Sequence, residues 1–483
     1  MNKRVNMFTY KNSKKDIRLD FKWHNPKFYD FIKNLKKISK NEGLITSTLI
    51  DEVTINGGKR LPKGISHLLS EFDPYPYVKG SSCLNNLQID FNECSNINHL
   101  IYDKVKCKNL IDEDILISIA GTIGRLGYFD SSDLDEKISD KVKFSENLAL
   151  LRKRKSSKIV MKNLLYYLHS PLSQIQFERM YGGSEQYKLS LSLLKNTMIF
   201  FPKEKKDQEE ITDKTDKNFR ESIKNEKKAD EELNNIDKRI EKHLPISFPE
   251  AILPFYYKKL SSIGDRIDYY ANHPYLQKLR KQIKKTDYRK MKDLVKPQKS
   301  GKVTPQDYYC IIDLVDCIDE KTGELIQIKE LPMLGSQNVI CRNGEILISG
   351  LQPQKGKIII IDESTEGCIA SSEFFPFKII SNEITPDYLK LILRSDIVSK
   401  QWEYQLTGCT PSRARIGSND ILETLVPIIE DQDTLVKEVN EIKLKSKKYK
   451  ENAIEKKDKV LIEYVETLTS NKEIFETIHN INN

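Results

Sequence analysis

No stretch of this 483-residue chain approaches the roughly 18 consecutive apolar residues of a membrane span. The N-terminal MNKRVNMFTYKNSKKD has no apolar core of signal-peptide length. Both absences predict a cytoplasmic protein with no membrane partner. Eight Cys stand at 83, 94, 107, 310, 317, 341, 368 and 409, with no CxxC pair and no His at metal spacing. They read as reduced, mostly buried thiols, and no metal ligands are expected. Catalytic patterns are missing too: there is no GxxxxGK[ST], no HExxH and no GxSxG. Asp73-Pro-Tyr-Pro-Tyr77 differs in order from the Asp-Pro-Pro-Tyr of an adenine methyltransferase and follows no GxG loop, so it reads as a structural turn. Pro386-Asp387 lacks the downstream Glu-x-Lys of a metal-dependent nuclease, and the seven scattered His form no triad, so no catalytic residue is expected.

What the chain has is a repeat. RLDFKWHNPKFYDFIKNLKKI (18–38) and RIDYYANHPYLQKLRKQIKKT (266–286) match without a gap at Arg, Asp, Pro and three Lys. About one chance identity would be expected over such a length, so a duplicated unit is indicated. The far ends also match: SPLSQIQFERMYGGSEQYKLSLSLLKNTMIFFP (170–202) faces SDIVSKQWEYQLTGCTPSRARIGSNDILETLVP (395–427), which pairs Ser170 with Ser395, Gly183 with Gly408 and Pro202 with Pro427. In the middle, DILISIAGTIGRLGYFD (114–130) faces EILISGLQPQKGKIIIID (345–362).

Between the copies, 204–243 holds no Gly or Pro and carries a sparse apolar set, Ile211, Phe219, Ile223, Leu233, Ile236 and Ile240. That spacing predicts one long helix with a narrow stripe. Residues 433–468 repeat the style with Leu435, Val439, Ile442, Tyr449, Ala453, Val460 and Tyr464. Two narrow stripes zip together as a coiled coil, and forty helical residues make a strut of about 60 Å; two separate solvated helices are the alternative. Within each copy short strands alternate with amphipathic helices such as NLLYYLHSPLSQIQFERMY and DYLKLILRSDIVSKQWEYQL, and Gly121-Thr-Ile-Gly124 divides two β-rich runs as a hairpin or tight corner. The class is α+β. The expected domains are 1–203, the central helix 204–243, 244–430, the distal helix 431–470 and a tail, 471–483.

Lys and Arg exceed Asp and Glu, 79 to 70, for a net charge of +9, which favours an acidic partner such as nucleic acid. Each copy has a Gly-centred loop before a helix, Gly182-Gly183-Ser184-Glu185-Gln186-Tyr187-Lys188 and Gly408-Cys-Thr410-Pro-Ser412-Arg413-Ala-Arg415. Small hydroxyl and basic side chains before a helix N-terminus suit a phosphate, and Arg413 and Arg415 suit guanine edges. A Gly-rich helix entry capped by Ser184 or Ser418 is the plainer reading. A second basic loop, Gly57-Gly-Lys59-Arg60-Leu-Pro-Lys63-Gly64, has Lys296 to Lys302 in the corresponding region of copy two. Such loops carry charge close to a phosphate backbone.

Two copies with DILISIAGTIGR-like strands, YYLHSPLSQ helices and a GGSEQYKLSLSLLKN…FP close, separated and followed by long helices, resemble the specificity (S) subunit of type I restriction-modification enzymes. The resemblance covers nearly the whole chain. It implies two target-recognition domains, each reading half of a split double-stranded DNA site, with the helices pairing antiparallel as a ruler. It also implies docking of two methyltransferase (M) subunits and of restriction (R) subunits. S-adenosylmethionine, ATP and Mg would then belong to those partners, and this chain would bind no cofactor. The DNA-contact candidates are Lys59, Arg60, Lys63, Thr122, Arg125, Gly183, Ser184, Gln186 and Lys188 in copy one. In copy two they are Lys299, Lys302, Gln354, Lys355, Lys357, Thr410, Ser412, Arg413 and Arg415. The helices hardly match each other, and copy two replaces Gly-Thr-Ile-Gly-Arg with LQPQKGK, which suits two different half-sites. A scaffold or regulatory subunit of the same fold that binds proteins but not DNA is the other reading.

Overall fold

The computed structural model describes residues 26–38, 40, 43–64, 73–181, 187–249, 272–314, 317–335, 337–407 and 413–469. The start of the N-terminal match, most of the connector after 244 and the 471–483 tail lie outside them. No helix among the described residues is long and apolar enough to cross a membrane. The chain divides into two units, Met1–Lys224 with Asn452–Asn483, and Asn225–Glu451.

Each unit contains a helix that starts at a proline, Pro26–Ile38 and Pro274–Ile283, where the missing N–H costs nothing. Matched positions are buried: Phe28, Phe31 and Leu35 in the first, Leu276, Leu279 and Ile283 in the second. Their spacing of three and four puts them on one helix face.

The main sheet of unit one runs in the order Val53–Gly57, Leu148–Lys153, Ile115–Ser118, Leu126–Tyr128, Leu87–Ile89, Leu84–Asn85. That of unit two runs Val295–Pro297, Phe374–Ile379, Glu345–Ser349, Ile358–Ile360. The shared Ile-Leu-Ile-Ser strand is central in both, and both of its faces are covered. Ile115 and Ile117 enter one core and Leu116 another; Ile346 and Ile348 are divided from Leu347 in the same way. A strand buried on both faces reads as an unbroken apolar run. A small second sheet repeats as well, with Tyr75–Val78 parallel to Lys143–Phe144 and Tyr309–Ile312 parallel to Ile369–Ser371.

The two expected amphipathic helices are each a pair, Met161–His169 with Pro171–Met180 and Pro386–Arg394 with Asp396–Glu403. Ser170 (φ −69°, ψ 158°) and Ser395 (φ −71°, ψ 161°) break them at the matched place. Each serine Oγ donates back to the preceding turn, to Tyr167 O and to Ile392 O, both at 2.7 Å.

A buried glutamine then repeats a three-bond clamp. Gln176 Nε2 donates to Leu172 O and Met198 O (2.9 and 3.0 Å), and its Oε1 accepts from Met198 N–H (2.9 Å). Gln401 does the same with Ile397 O, Leu425 O and Leu425 N–H (3.0, 2.9 and 3.1 Å). Met198 is thus matched by Leu425, and the gapless pairing of Pro202 with Pro427 is corrected. Strand register agrees, since Met198 pairs with Thr48 and Leu425 with Lys290, each just before a one-turn helix. The loop after the helix pair is longer in copy two, which shifts everything beyond it.

The long helices span Lys205–His243 and Gln432–Thr469. In unit two they run antiparallel, with Lys445 on Glu232 (2.5 Å) and His243 on Glu438 (2.9 Å). In unit one Lys456 faces Glu221 (3.6 Å), while Phe219 and Tyr464 both pack on the Tyr166 ring. The seam is fuller than the apolar stripe. Gln208, Thr215, Ser222 and Ala229 are buried one heptad apart, with Thr212, Phe219 and Ile240 between and beyond them; on the distal helix Gln432, Val439, Ser446, Ala453 and Val460 follow the same period. Ser446 Oγ donates across the seam to Ala229 O (2.8 Å).

Both helices are also fastened at their first turn. Gln208 accepts from Val160 N–H (2.7 Å) and donates to Pro202 O (2.9 Å), while Gln432 accepts from Thr385 N–H (2.8 Å) and donates to Glu383 O (2.7 Å).

Candidate nucleic-acid interface

In both units the serine that ends the Ile-Leu-Ile-Ser strand folds the chain into a corner. Ser118 Oγ donates to Thr122 O (2.5 Å) and accepts from Arg125 N–H (2.9 Å). Ser349 Oγ donates to Leu351 O (2.8 Å) and accepts from Leu351 N–H (3.1 Å). The corner needs left-handed backbone at two places, supplied by Gly121 (φ +73°) and Gly124 (φ +82°) in unit one, and by Gln352 (φ +48°) and Gly356 (φ +65°) in unit two. It returns as a hairpin, since Ile115–Ser118 pairs antiparallel with Leu126–Tyr128 and Glu345–Ser349 with Ile358–Ile360.

Each corner is joined to the segment that leaves the Gly-centred loop. In unit one Leu189 N–H donates to Ile119 O (2.9 Å) and Gly121 N–H to Tyr187 O (3.3 Å). In unit two Ile416 N–H donates to Gly350 O and Gln352 N–H to Ala414 O, both at 2.9 Å. The two joints match bond for bond. They set Lys188 opposite Ala120, on the corner that carries Thr122 and Arg125, and Arg415 opposite Leu351, on the corner that carries Gln354, Lys355 and Lys357.

Within these clusters the side chains differ in how they are held. Thr122, Lys188 and Arg413 are exposed, and Arg125 is exposed while reaching Ser81 O (3.4 Å). Arg415 forks onto Glu373 at 2.7 and 3.1 Å. Lys357 is buried, its Nζ on Leu314 O (2.8 Å) and Glu320 (3.0 Å), and Lys355 reaches the same carboxylate at 3.5 Å. Burial opposes the charge on Glu320, yet these two lysines hold its carboxyl below its ordinary range. Gln354 is half-buried.

The basic loops are carried by other elements. Lys59, Arg60 and Lys63 are exposed; Lys59 N–H donates to Phe144 O (3.0 Å), and Arg60 pairs with Glu146. Gly58 is required there because a Cβ would lie 2.1 Å from Ser145 O. Lys299 and Lys302 are exposed, and Arg342 donates to Lys299 O (3.3 Å). Gly183, Ser184, Gln186, Thr410 and Ser412 lie outside the described residues.

The helices after the Gly-centred loops are short, Leu191–Lys195 and Ser418–Leu422, so their dipoles are small. Ser190 caps the first, accepting from Leu193 N–H (3.3 Å); Ser418 is the first residue of the second, behind Gly417. Among the described residues no cluster of His, Cys, Asp or Glu is arranged to hold a metal ion.

Gln174, Arg394 and Gln352 carry no sequence signal of their own, yet each shapes a corner. Gln352 takes a left-handed conformation usually left to glycine.

A mixed helix-and-sheet chain with one joint built twice, on two bodies that each pack against halves of the same two long helices, is a duplicated two-domain protein. Residues 41–235 match the family model of the type I restriction modification DNA specificity domain. The matched stretch takes in most of the first copy and most of the central helix. Similar solved structures include the S subunit of a type I restriction-modification system from M. genitalium, with 13% identity over 89% of this chain and 97% of that one and a TM-score of 0.34. The HsdS subunit from Thermoanaerobacter tengcongensis has 12% identity over 89% and 97%, with a TM-score of 0.31. A chain from a structural study of complex assembly and conformational transition in the type I R-M system has 11% identity over 90% and 98%, with a TM-score of 0.41. No curated protein matches the chain.

Proposed function

We propose that this chain is the non-catalytic DNA specificity subunit of a type I restriction-modification complex. Each unit reads one half of a bipartite double-stranded site through its corner and the adjoining loop exit, and the paired helices set the distance between the halves. The supporting observation is the corner-and-loop joint, repeated bond for bond in both units while its exposed side chains differ. One backbone platform with two chemistries suits two half-sites, because phosphate contacts position a reader and base-edge contacts specify the sequence. Methyltransferase and restriction subunits dock on this chain in the cytoplasm, and S-adenosylmethionine, ATP and Mg act in them. The test is co-expression with the partner methyltransferase and mapping of methylated adenines in the host genome. A two-part motif with a fixed spacer is expected; methylation at unsplit or random sites would overturn the reading.

A further inference from the structure

The two corners are held in place by different side chains. In unit one Gln174 Nε2 donates to Gly124 O (3.1 Å) and to Leu168 O (2.7 Å). The residue matched to Gln174 in unit two is Ser399, whose hydroxyl turns to Asp396 (3.4 Å). There the carbonyl of the corner glycine, Gly356 O, takes an N–H of the Arg394 guanidinium instead. Arg394 also donates to Glu320 O and Lys321 O, both at 3.1 Å.

The residue matched to Arg394 in unit one is His169, immediately before the serine break. Its ring meets Phe219 edge-on at 5.8 Å, and burial, helped by Lys457, pulls its imidazole down to about 4, so it is neutral at pH 7. Both anchors press on the same glycine position. A Cβ on Gly124 would come 2.5 Å from Gln174 Oε1, and one on Gly356 would come 2.9 Å from Arg394 Nη1.

We propose that Gln174 and Arg394 are equivalent positioning residues, each fixing its unit's corner so that the exposed corner side chains meet DNA in one preset arrangement. The proposal rests on the corners being DNA contacts. A corner tethered through its glycine carbonyl loses little freedom on binding, and preorganisation sharpens discrimination between correct and incorrect sequences. The contact has moved between the ends of the same helix break while its function stayed in place, so it should be transplantable. Beside His169 lies a cavity of about 370 Å³, bounded by Leu84–Leu87, Ile123–Leu126, Gln174, Phe219 and Lys457. An arginine side chain at position 169 has room to reach the Gly124 carbonyl through it.

The test uses the full chain with its partner methyltransferase and competition between duplexes carrying single base-pair changes in either mapped half-site. Gln174→Ser should lower discrimination at the first half-site about three- to tenfold, the worth of one neutral hydrogen bond, and leave the second unchanged. Adding His169→Arg should restore it. Arg394→His should act on the second half-site alone. Amide exchange across the Gln176–Met198 clamp reports folding of unit one, and its protection should match the parent's. Unchanged discrimination in Gln174→Ser, an equal loss at both half-sites, loss of clamp protection, or failure of His169→Arg to rescue would each overturn the proposal. A parent chain that discriminates at neither half-site would instead overturn the DNA reading beneath it.

Discussion

Gly121 and Gly124 share a left-handed backbone, but a Cβ at Gly121 would meet open space while one at Gly124 would strike Gln174. Gly121→Val should therefore cost only the backbone strain, about 1–3 kcal/mol, and Gly124→Val should cost more. Amide exchange in rising urea would measure both, with unit two as the internal reference; equal costs would mean that the Gln174 contact contributes nothing. The glycine corner of copy one was readable because positive φ selects glycine. In copy two Gln352 bears the same strain with no residue type to announce it. The anchors were unreadable for another reason: one contact is made from non-matching positions, by an amide in one copy and a guanidinium in the other, so aligning the copies sets each anchor against a residue that does something else.

At the scale of elements, Ile-Leu-Ile-Ser, the broken helix pair and the buried glutamines carry the same structural task in both copies; the strand was legible from its identity between the copies, whereas the serine break and the glutamine clamp show only in three dimensions. The register beyond the Gly-centred loops was not marked, because a gapless match conceals a change in loop length. The two long helices pack together as expected, but their seam was only half visible. Thr212, Thr215, Ser222 and Ser446 occupy seam positions, and short hydroxyl side chains satisfied by backbone carbonyls leave no hydrophobic trace. The seam period makes a prediction. Adding one heptad to both long helices should preserve the seam, lengthen each by about 10 Å and move the methylated half-sites apart by about three base pairs. Adding four residues to both should rotate the seam by about 40° and work worse. Methylation mapping of each variant is the measurement; a heptad variant that still writes the parental spacing would reduce the helices to tethers.

At the scale of the whole molecule, the proposed function gives the net charge of +9 the part of a general attraction for DNA, weakening as salt rises, and gives the corners a local part. Arg413 is exposed beside its corner while Arg415 is engaged by Glu373. Arg413→Ala should accordingly weaken binding at the second half-site by about 1–3 kcal/mol and leave the first untouched, as read by competition at fixed salt; an equal loss at both would assign Arg413 to general attraction. The division of the long helices between the units has a consequence in time. Unit one begins at the N-terminus, yet Val460, Tyr464, Val465 and Leu468 from the far end of the chain complete its core. At a synthesis rate of about 5–20 residues per second, the first body emerges from the ribosome some ten seconds or more before the segment that seals it. The nascent chain therefore carries an open apolar face around Tyr166 and Phe219 until Val460 to Leu468 have been made, and a chain that stops anywhere before residue 452 leaves the first body unclosed.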